Sequence, residues 1–187
     1  MDVDHETSIS EGGLIKKAPS GKSYSVFLYN IYMKTNSRPS WDAYFVSIAH
    51  IVQTRSNCIR GERGAILTKD KRIVTTGYNG TPSGIKDCDE GGCKRCLDRE
   101  NNKVKPGERK DLCICVHAEQ NALIQASYHG VSTKGTTLYS TVSPCITCAK
   151  AIINAGVVEV VYDDEHSDDF GEKLLKSAGV KVRKYIK

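Results

Sequence analysis

Four residues in the second half of the chain have the types and the spacing of a hydrolytic zinc site. Residues 117–119 read His-Ala-Glu, and residues 144–148 read Pro-Cys-Ile-Thr-Cys. One imidazole and two thiolates give zinc three protein ligands and leave its fourth tetrahedral position for water, which is typical of a catalytic site. Zinc lowers the pKa of bound water towards about 7 and so provides a nucleophile at neutral pH. We therefore predict that His117, Cys145 and Cys148 bind a catalytic zinc ion.

Glu119 is expected to move the protons of this reaction, because it is a carboxylate beside the metal that is not needed as a ligand. It would take a proton from the attacking water, deliver one to a ring nitrogen and help an exocyclic amine leave as ammonia. The alternative is that the cysteine pair is half of a structural zinc site and that the His-Ala-Glu segment occurs by chance. The order of the two segments, with an aliphatic strand before the second, favours the catalytic interpretation.

Both segments are expected at the beginnings of helices. Pro144 suits the first position of a helix, and Cys145 and Cys148 then lie three residues apart on one helical face. His117 and Glu119 are two residues apart and do not share a helical face. His117 should therefore lie at the non-helical edge of its helix.

The remaining pattern predicts a mixed sheet between helices. Ser40 can cap a helix whose apolar residues recur at helical spacing and are expected in the core, namely Trp41, Tyr44, Phe45, Ile48, Ala49 and Val52. Strands are expected at 64–68, 72–76, 137–141, 157–162 and, as an edge strand, 180–186. A last helix is expected over 167–178. We expect a three-layer α/β/α fold with a five-stranded mixed sheet and the metal-binding helices on one face.

Length and composition fit one enzyme domain. The chain has 187 residues, of which 39% are hydrophobic, enough for one domain behind an N-terminal extension over residues 1–39 that is partly disordered. The net charge of +5 suits anionic nucleotides, but the basic residues are scattered, which argues against nucleic-acid binding. No apolar stretch approaches a membrane span and no leader pattern is present, so we expect a cytoplasmic protein.

Six further cysteines lie in or near an insert at about 86–116, and they are Cys58, Cys88, Cys93, Cys96, Cys113 and Cys115. Their spacing is typical of two-part zinc sites, and the charged insert has little apolar material with which to fold without metal. A second, structural zinc ion held by four of the six is therefore predicted, and the choice of four stays open. Buried free cysteines are the alternative.

With these segments placed, the sequence resembles the deoxycytidylate deaminase family of the cytidine deaminase superfamily, from residue 41 to about 186. The resemblance is carried by five segments, Arg55-Ser56-Asn57-Cys58, Gly64-Ala65-Ile66, 76–84, 117–122 and 143–150. It implies a deaminase domain over residues 40–187 that hydrolyses dCMP to dUMP and ammonia for thymidylate synthesis. It also implies a homo-oligomer, usually a hexamer, that is activated by dCTP and inhibited by dTTP. Mg2+ is a candidate ion for binding together with the regulatory nucleotide. A related deaminase acting on dCTP or a free nucleoside, and a nucleic-acid editing deaminase, are the alternatives.

The resemblance assigns Asn79 to the nucleotide sugar. An amide beside glycines can approach a ligand closely and can both donate and accept hydrogen bonds. A simple turn is the alternative, since Asn-Gly is a common turn pair. The same turn, formed by Gly77, Tyr78, Asn79 and Gly80, resembles the family element that contacts the regulatory nucleotide.

A monophosphate needs hydrogen-bond donors, and Ser56, Asn57 and Arg60 are the candidates. For Arg60 the alternative is a solvated charge near a helix end. Tyr162 could stack on the pyrimidine base, with ordinary packing as the alternative.

Overall fold

The computed structural model describes residues 38–167 and 169–186, so the predicted N-terminal extension lies almost entirely outside the described residues. The helices are α1 (Trp41–Gln53), α2 (Lys94–Glu100), α3 (Ala118–Tyr128), α4 (Ile146–Asn154) and α5 (Phe170–Ser177), with a 3-10 helix at Lys110–Leu112. The strands are β1 (Gly64–Lys69), β2 (Arg72–Tyr78), β3 (Thr137–Val142), β4 (Glu159–Asp164) and β5 (Lys181–Lys184). No helix in the described ranges is long and apolar enough to cross a membrane.

The five strands form one mixed sheet in the order β2-β1-β3-β4-β5, as predicted. β1 is antiparallel to both β2 and β3, whereas β4 is parallel to β3 and to β5. The parallel neighbours are connected through α4 and α5, which is the usual strand–helix–strand unit. Because β3 ends at Val142, the chain passes from the carboxyl end of this central strand directly to Pro144 and Cys145.

Helices cover both faces of the sheet and give the predicted three layers. On one face α1 packs through Phe45 and Val46 against alternate strand residues. On the opposite face, α3, α4 and α5 pack against the strand residues that point the other way. The members of that second cluster include Leu67, Leu138, Val160, Ala122, Ile152 and Leu175. The helices that carry the predicted zinc ligands therefore share one face of the sheet.

Several predicted boundaries need correction. α4 begins at Ile146 with Cys145 as its N-cap, so Pro144 precedes the helix and does not open it. β2 continues to Tyr78, β5 is shorter than predicted at both ends, and α5 begins at Phe170, three residues later than predicted. Cys145 has extended backbone (φ −70°, ψ 169°), so the first helical residue of α4 is Ile146.

Two of the three aromatic residues at the start of α1 are substantially exposed. Phe45 is 2% exposed and Ala49 is fully buried, but Trp41 and Tyr44 are 46% and 44% exposed. The buried face of the helix runs through Phe45, Ala49 and Gln53, so Trp41 and Tyr44 lie at its flank. Their rings contact Phe45. The prediction that these two residues belong to the core is therefore wrong.

A charged cluster joins α1 to the edge strand β5. Arg183 donates to both carboxylate oxygens of Asp42, at 2.6 and 2.9 Å, and Tyr139 Oη donates to Asp42 Oδ1 at 2.8 Å. Arg183 Nε also donates to Glu159 Oε1 at 2.7 Å. The hydrogen bonds from Arg183, and next the one from Tyr139, hold the pKa of Asp42 below its ordinary value.

We expect Asp42→Asn to lower the free energy of unfolding at neutral pH by about 1 kcal/mol, since the pair is partly exposed and solvent screens it. A lowered folded-state pKa stabilises the fold above the unfolded-state pKa of about 3.9, and this stabilisation disappears as the pH falls through the folded-state value. Urea unfolding between about pH 6 and pH 3 should therefore show a steeper loss in the wild type than in Asp42→Asn. Parallel pH profiles for the two proteins would contradict this linkage.

Candidate functional site

The predicted zinc ligands converge at the beginnings of α3 and α4. His117 is the N-cap residue of α3 and Cys145 that of α4, both with extended backbone. His117 Nδ1 lies 3.4 Å from Cys145 Sγ and 3.4 Å from Cys148 Sγ. The prediction that His117 lies at the non-helical edge of its helix is confirmed, and the three side chains are brought together.

These distances fit a tetrahedral zinc ion. Zinc bonds of about 2.0 Å to nitrogen and about 2.3 Å to sulfur place the two ligand atoms about 3.5 Å apart. The three candidate ligand atoms all lie within 4.8 Å of one another, and this group has no fourth member among the residues that the structure describes. Imidazole and thiolate are also the ligand types that zinc prefers. The residues present therefore fit zinc with one coordination position left for solvent or substrate.

Cys145 and His117 form a coupled thiolate–imidazolium pair in the absence of a metal. Hydrogen bonds from Cys148 and then from His117 lower the pKa of Cys145 to about 3, despite burial. The hydrogen bond to Cys145 raises the pKa of His117 to about 9. An ion bound between them would hold Cys145 as a thiolate and would displace the proton of His117.

Glu119, the second residue of α3, is buried beside these ligands. The residue is 4% exposed, and its Oε2 lies 3.6 Å from Cys148 Sγ. Burial raises the pKa of Glu119, whereas the neighbouring His117 acts to lower it. The positive end of the α3 dipole also favours the charged carboxylate. A carboxyl group under opposing influences of this kind suits proton transfer near neutral pH.

The position of α3 depends on close packing at Gly77. A Cβ atom on Gly77 would lie 2.3 Å from Ala118 O and 2.3 Å from Ala122 N, which are both backbone atoms of the helix. Asn121 Nδ2 adds a hydrogen bond to Tyr78 O at 2.7 Å. The prediction of a turn is wrong for Gly77 and Tyr78, because they are the last residues of β2 and the glycine is required by the helix above it.

Asn79 is buried and uses its amide to hold neighbouring loops. Its Oδ1 accepts hydrogen bonds from Ser56 Oγ and Arg63 N, both at 2.7 Å. Its Nδ2 donates to Gly61 O at 2.8 Å. Oδ1 thus accepts two hydrogen bonds, and Nδ2 has one partner among the described residues, which leaves its second N–H for a ligand. The contact to a nucleotide sugar stays a prediction, now restricted to a single donated hydrogen bond.

Gly80 connects two of the predicted segments. It pairs with Val116, with Val116 N donating to Gly80 O at 2.8 Å, and Val116 directly precedes His117. On its other side, a Cβ on Gly80 would lie 2.6 Å from Asn57 Oδ1. Asn57 Nδ2 in turn donates to Asp87 Oδ1 at 2.6 Å. The loop that holds the candidate phosphate donors therefore contacts Gly80, which is paired with the residue that precedes the zinc ligand.

The last two predicted substrate residues also have protein partners. Arg60 forms an ion pair with Glu100 of α2, in which both side chains are substantially exposed. Tyr162 is 5% exposed, and its hydroxyl donates to Glu172 Oε2 at 3.0 Å. Burial, together with Glu172, raises the pKa of Tyr162 to about 12. Tyr162 lines a cleft of about 620 Å³ that also reaches Ser143, so stacking on a base stays a prediction.

The other six cysteines come together in one cluster, which contains the five cysteines of the insert and Cys58. All are free thiols, and the cluster also contains Ile59. Their sulfur atoms form two groups of four with all separations within 4.8 Å. The groups are Cys58, Cys88, Cys96 and Cys115, and Cys93, Cys96, Cys113 and Cys115. The cluster therefore contains the thiols needed for the predicted structural zinc.

Residues 39–163 match the family model described as "Cytidine and deoxycytidylate deaminase zinc-binding region". The chain belongs to this family. The matched region includes all three candidate zinc ligands and Glu119. The predicted resemblance to the family is thereby confirmed, and zinc is the metal that its description names.

Individual relatives agree with the family model. The chain is similar to the deoxycytidylate deaminase of Schizosaccharomyces pombe, with 43% identity over 80% of this chain and 45% of that protein. The deoxycytidylate deaminase of Mycobacterium phage D29 is 40% identical over 69% of this chain and 98% of its own length. The chain spans about half the length of its fission yeast relative and of a Saccharomyces cerevisiae relative, 45% and 46%.

A solved structure confirms the predicted fold class. The crystal structure of dCMP deaminase from the cyanophage S-TIM5, in complex with dCMP and dUMP, is similar to this structure with a TM-score of 0.64 and 32% sequence identity. The similarity covers 80% of this chain and 100% of the cyanophage chain. The predicted three-layer α/β/α arrangement with a five-stranded mixed sheet is therefore confirmed.

Proposed function

We propose that the protein is a zinc-dependent deoxycytidylate deaminase, which converts dCMP and water to dUMP and ammonia and supplies dUMP for thymidylate synthesis. One observation carries the proposal: the ligand atoms of His117, Cys145 and Cys148 lie within 4.8 Å of one another, and Glu119 is buried beside them. The choice of substrate is supported by relatives that are named deoxycytidylate deaminases and by the cyanophage enzyme, whose structure contains dCMP and dUMP.

Each residue of the site has a defined task in this reaction. Zinc bound by these three ligands would supply a Lewis acid that lowers the pKa of water and provides a nucleophile at neutral pH. Glu119 would accept a proton from the attacking water, transfer it to the ring nitrogen of cytosine and assist the amino group in leaving as ammonia. The free N–H of Asn79 would donate to the sugar and orient the nucleotide.

The direct test is incubation of the purified, zinc-loaded protein with dCMP, dCTP, deoxycytidine and cytosine, followed by the loss of cytosine absorbance. We expect dCMP to have the highest kcat/KM of the four. Turnover of dCTP or deoxycytidine without turnover of dCMP would overturn the substrate assignment. A fully zinc-loaded protein that converts none of the four would overturn the proposed activity.

Arg60 allows a sharper test of phosphate binding. If its guanidinium binds the phosphate, Arg60→Ala should raise the KM for dCMP about tenfold, which corresponds to about 1.4 kcal/mol, and should leave deoxycytidine turnover unchanged. The matched control is Glu100→Gln, which breaks the same ion pair but keeps the guanidinium. An equal rise of KM in both variants would show that the ion pair has only a structural role.

We also propose that the enzyme is a homo-oligomer, a hexamer, and that dCTP with Mg2+ activates it while dTTP inhibits it through residues 77–80. Two features support this proposal: Tyr78 is 39% exposed, and Gly80 pairs with the residue that precedes His117. Allostery requires a coupling between two ligands. A sigmoidal rate curve for dCMP that becomes hyperbolic with dCTP, and is suppressed by dTTP, would support the proposal. Rates that respond to neither nucleotide, or a monomer in sedimentation, would contradict it.

A further inference from the structure

The six-cysteine cluster offers more thiols than one structural zinc ion can use. We propose that it holds two zinc ions in a binuclear site, with Cys96 and Cys115 as thiolates that bridge the ions. The terminal ligands would be Cys58 and Cys88 on one ion, and Cys93 and Cys113 on the other. This inference does not depend on the proposed deaminase activity.

The first argument is the way in which the sulfur atoms are grouped. Each of the two groups contains four sulfur atoms within 4.8 Å of one another, which is one complete set of tetrahedral ligands. The groups are not separate, because Cys96 and Cys115 belong to both. Two tetrahedral ions that share two ligands need six thiolates, which is the number of cysteines that the cluster contains.

The second argument is distance. The Sγ atoms of Cys93 and Cys113 lie 3.9 Å apart, those of Cys96 and Cys113 lie 3.7 Å apart, and those of Cys96 and Cys115 lie 4.0 Å apart. Zinc–sulfur bonds of about 2.3 Å place two tetrahedral ligands about 3.8 Å apart. A disulfide requires about 2.05 Å. Each of these pairs of sulfur atoms therefore has the spacing of two ligands bound to the same zinc ion.

The third argument is burial. Cys88, Cys93 and Cys96 are fully buried and Cys115 is 8% exposed, although Ile59 is the one aliphatic side chain that packs with them in the described cluster. A single ion would leave two of the cysteines without a metal in a core that contains little else. Two ions would make every cysteine a ligand and would give the insert a metal core in place of an apolar one.

The binuclear site would also hold in place the chain segments that lead to the catalytic centre. Cys58 belongs to the loop that contains Ser56 and Arg60, and the other five cysteines belong to the insert. The last of these, Cys115, lies two residues before His117. The same two ions would thus join the loop of Cys58 to the insert, next to the first ligand of the proposed active site.

Metal analysis of the purified holoprotein tests the inference. We expect three zinc ions per chain, and two per chain in Cys148→Ser, which removes a ligand of the catalytic ion and leaves the cluster intact. Cys58→Ser and Cys113→Ser remove one terminal ligand on opposite sides of the cluster, so each should lose one of the two cluster ions. The proposal would be overturned by a wild type with only two zinc ions per chain, and equally by either of these variants keeping the zinc content of the wild type.

A second measurement uses the wild type alone and therefore does not depend on the folding of variants. In protein loaded with cadmium-113, the β-protons of Cys96 and Cys115 should each couple to two metal nuclei, and those of the other four cluster cysteines to one. This pattern would establish the bridges. Coupling of every cysteine to at most one cadmium nucleus would overturn them.

Discussion

Glu119→Gln should lower kcat for dCMP by about 10³- to 10⁴-fold while the zinc content stays near that of the wild type. Glutamine has nearly the same shape, but it cannot accept a proton from water and pass it to the base. The ligand atoms come from His117, Cys145 and Cys148, so the metal does not require Glu119. Because Glu119 is buried, replacing its charge with an amide should not expose the site to solvent.

The measurement combines steady-state deamination with metal analysis on the same sample. Glu159→Gln is the matched control, since it makes the same substitution on β4 at a carboxylate that binds Arg183 and lies outside the proposed site. Its kcat should stay within about twofold of the wild type. Activity of Glu119→Gln within tenfold of the wild type would refute the proton-transfer role. A parallel loss of zinc and activity would instead assign Glu119 to metal retention.

The zinc site could be predicted because its parts are local in sequence. His117 and Glu119 belong to the start of one helix, and Cys145 and Cys148 to the start of another. Within each pair the first residue is the N-cap and the second lies in the first turn of the helix, so the arrangement within a pair depends on local backbone geometry. The strands of the sheet could be predicted equally well, because neighbouring strand residues such as Leu138 and Tyr139 are buried on opposite faces of the sheet. Only the fact that the two helix N-termini lie next to each other could not be predicted from local sequence, because it depends on the tertiary fold.

The polar contacts around the site could not be predicted in the same way. The partners of Asn79 lie 16 to 23 residues away in the sequence, in a loop without periodic pattern. Asn121 lies within the segment that resembles the family, but nothing in its sequence context indicates that it holds Tyr78 O. Such partners depend on which loops the fold brings together, and no local propensity encodes them.

The wrong helix start at Pro144 has a similar origin. A proline before two cysteines at helical spacing is consistent with the first helical position. In the structure, a Cβ on Gly171 would lie 2.0 Å from Pro144 O, so α5 packs directly on this peptide. The contact comes from a helix more than 25 residues further along the chain. The local pattern gave the right helix and the wrong first residue.

Gly77→Ala should reduce stability and activity together. The new Cβ would lie 2.3 Å from the backbone atoms Ala118 O and Ala122 N, and neither can move aside by a side-chain rotation. Either α3 or the end of β2 must shift, and overpacking of this kind costs about 1–3 kcal/mol, occasionally more. Ala118 lies between His117 and Glu119, so the shift reaches both. Misplacement by about 1 Å can lower the rate about 100-fold.

Urea unfolding, kcat and zinc content measured on Gly77→Ala would test this explanation. Gly84→Ala is a useful control, because a Cβ there meets no atom within 4 Å and the substitution introduces only the strain of φ +83°. It should lower stability by about 1 kcal/mol and leave kcat unchanged. If residue 77 instead contacts a regulatory nucleotide, Gly77→Ala would keep its stability and basal kcat and lose only the response to dCTP. That result would show that the glycine is needed for the ligand and that the packing of α3 tolerates a methyl group.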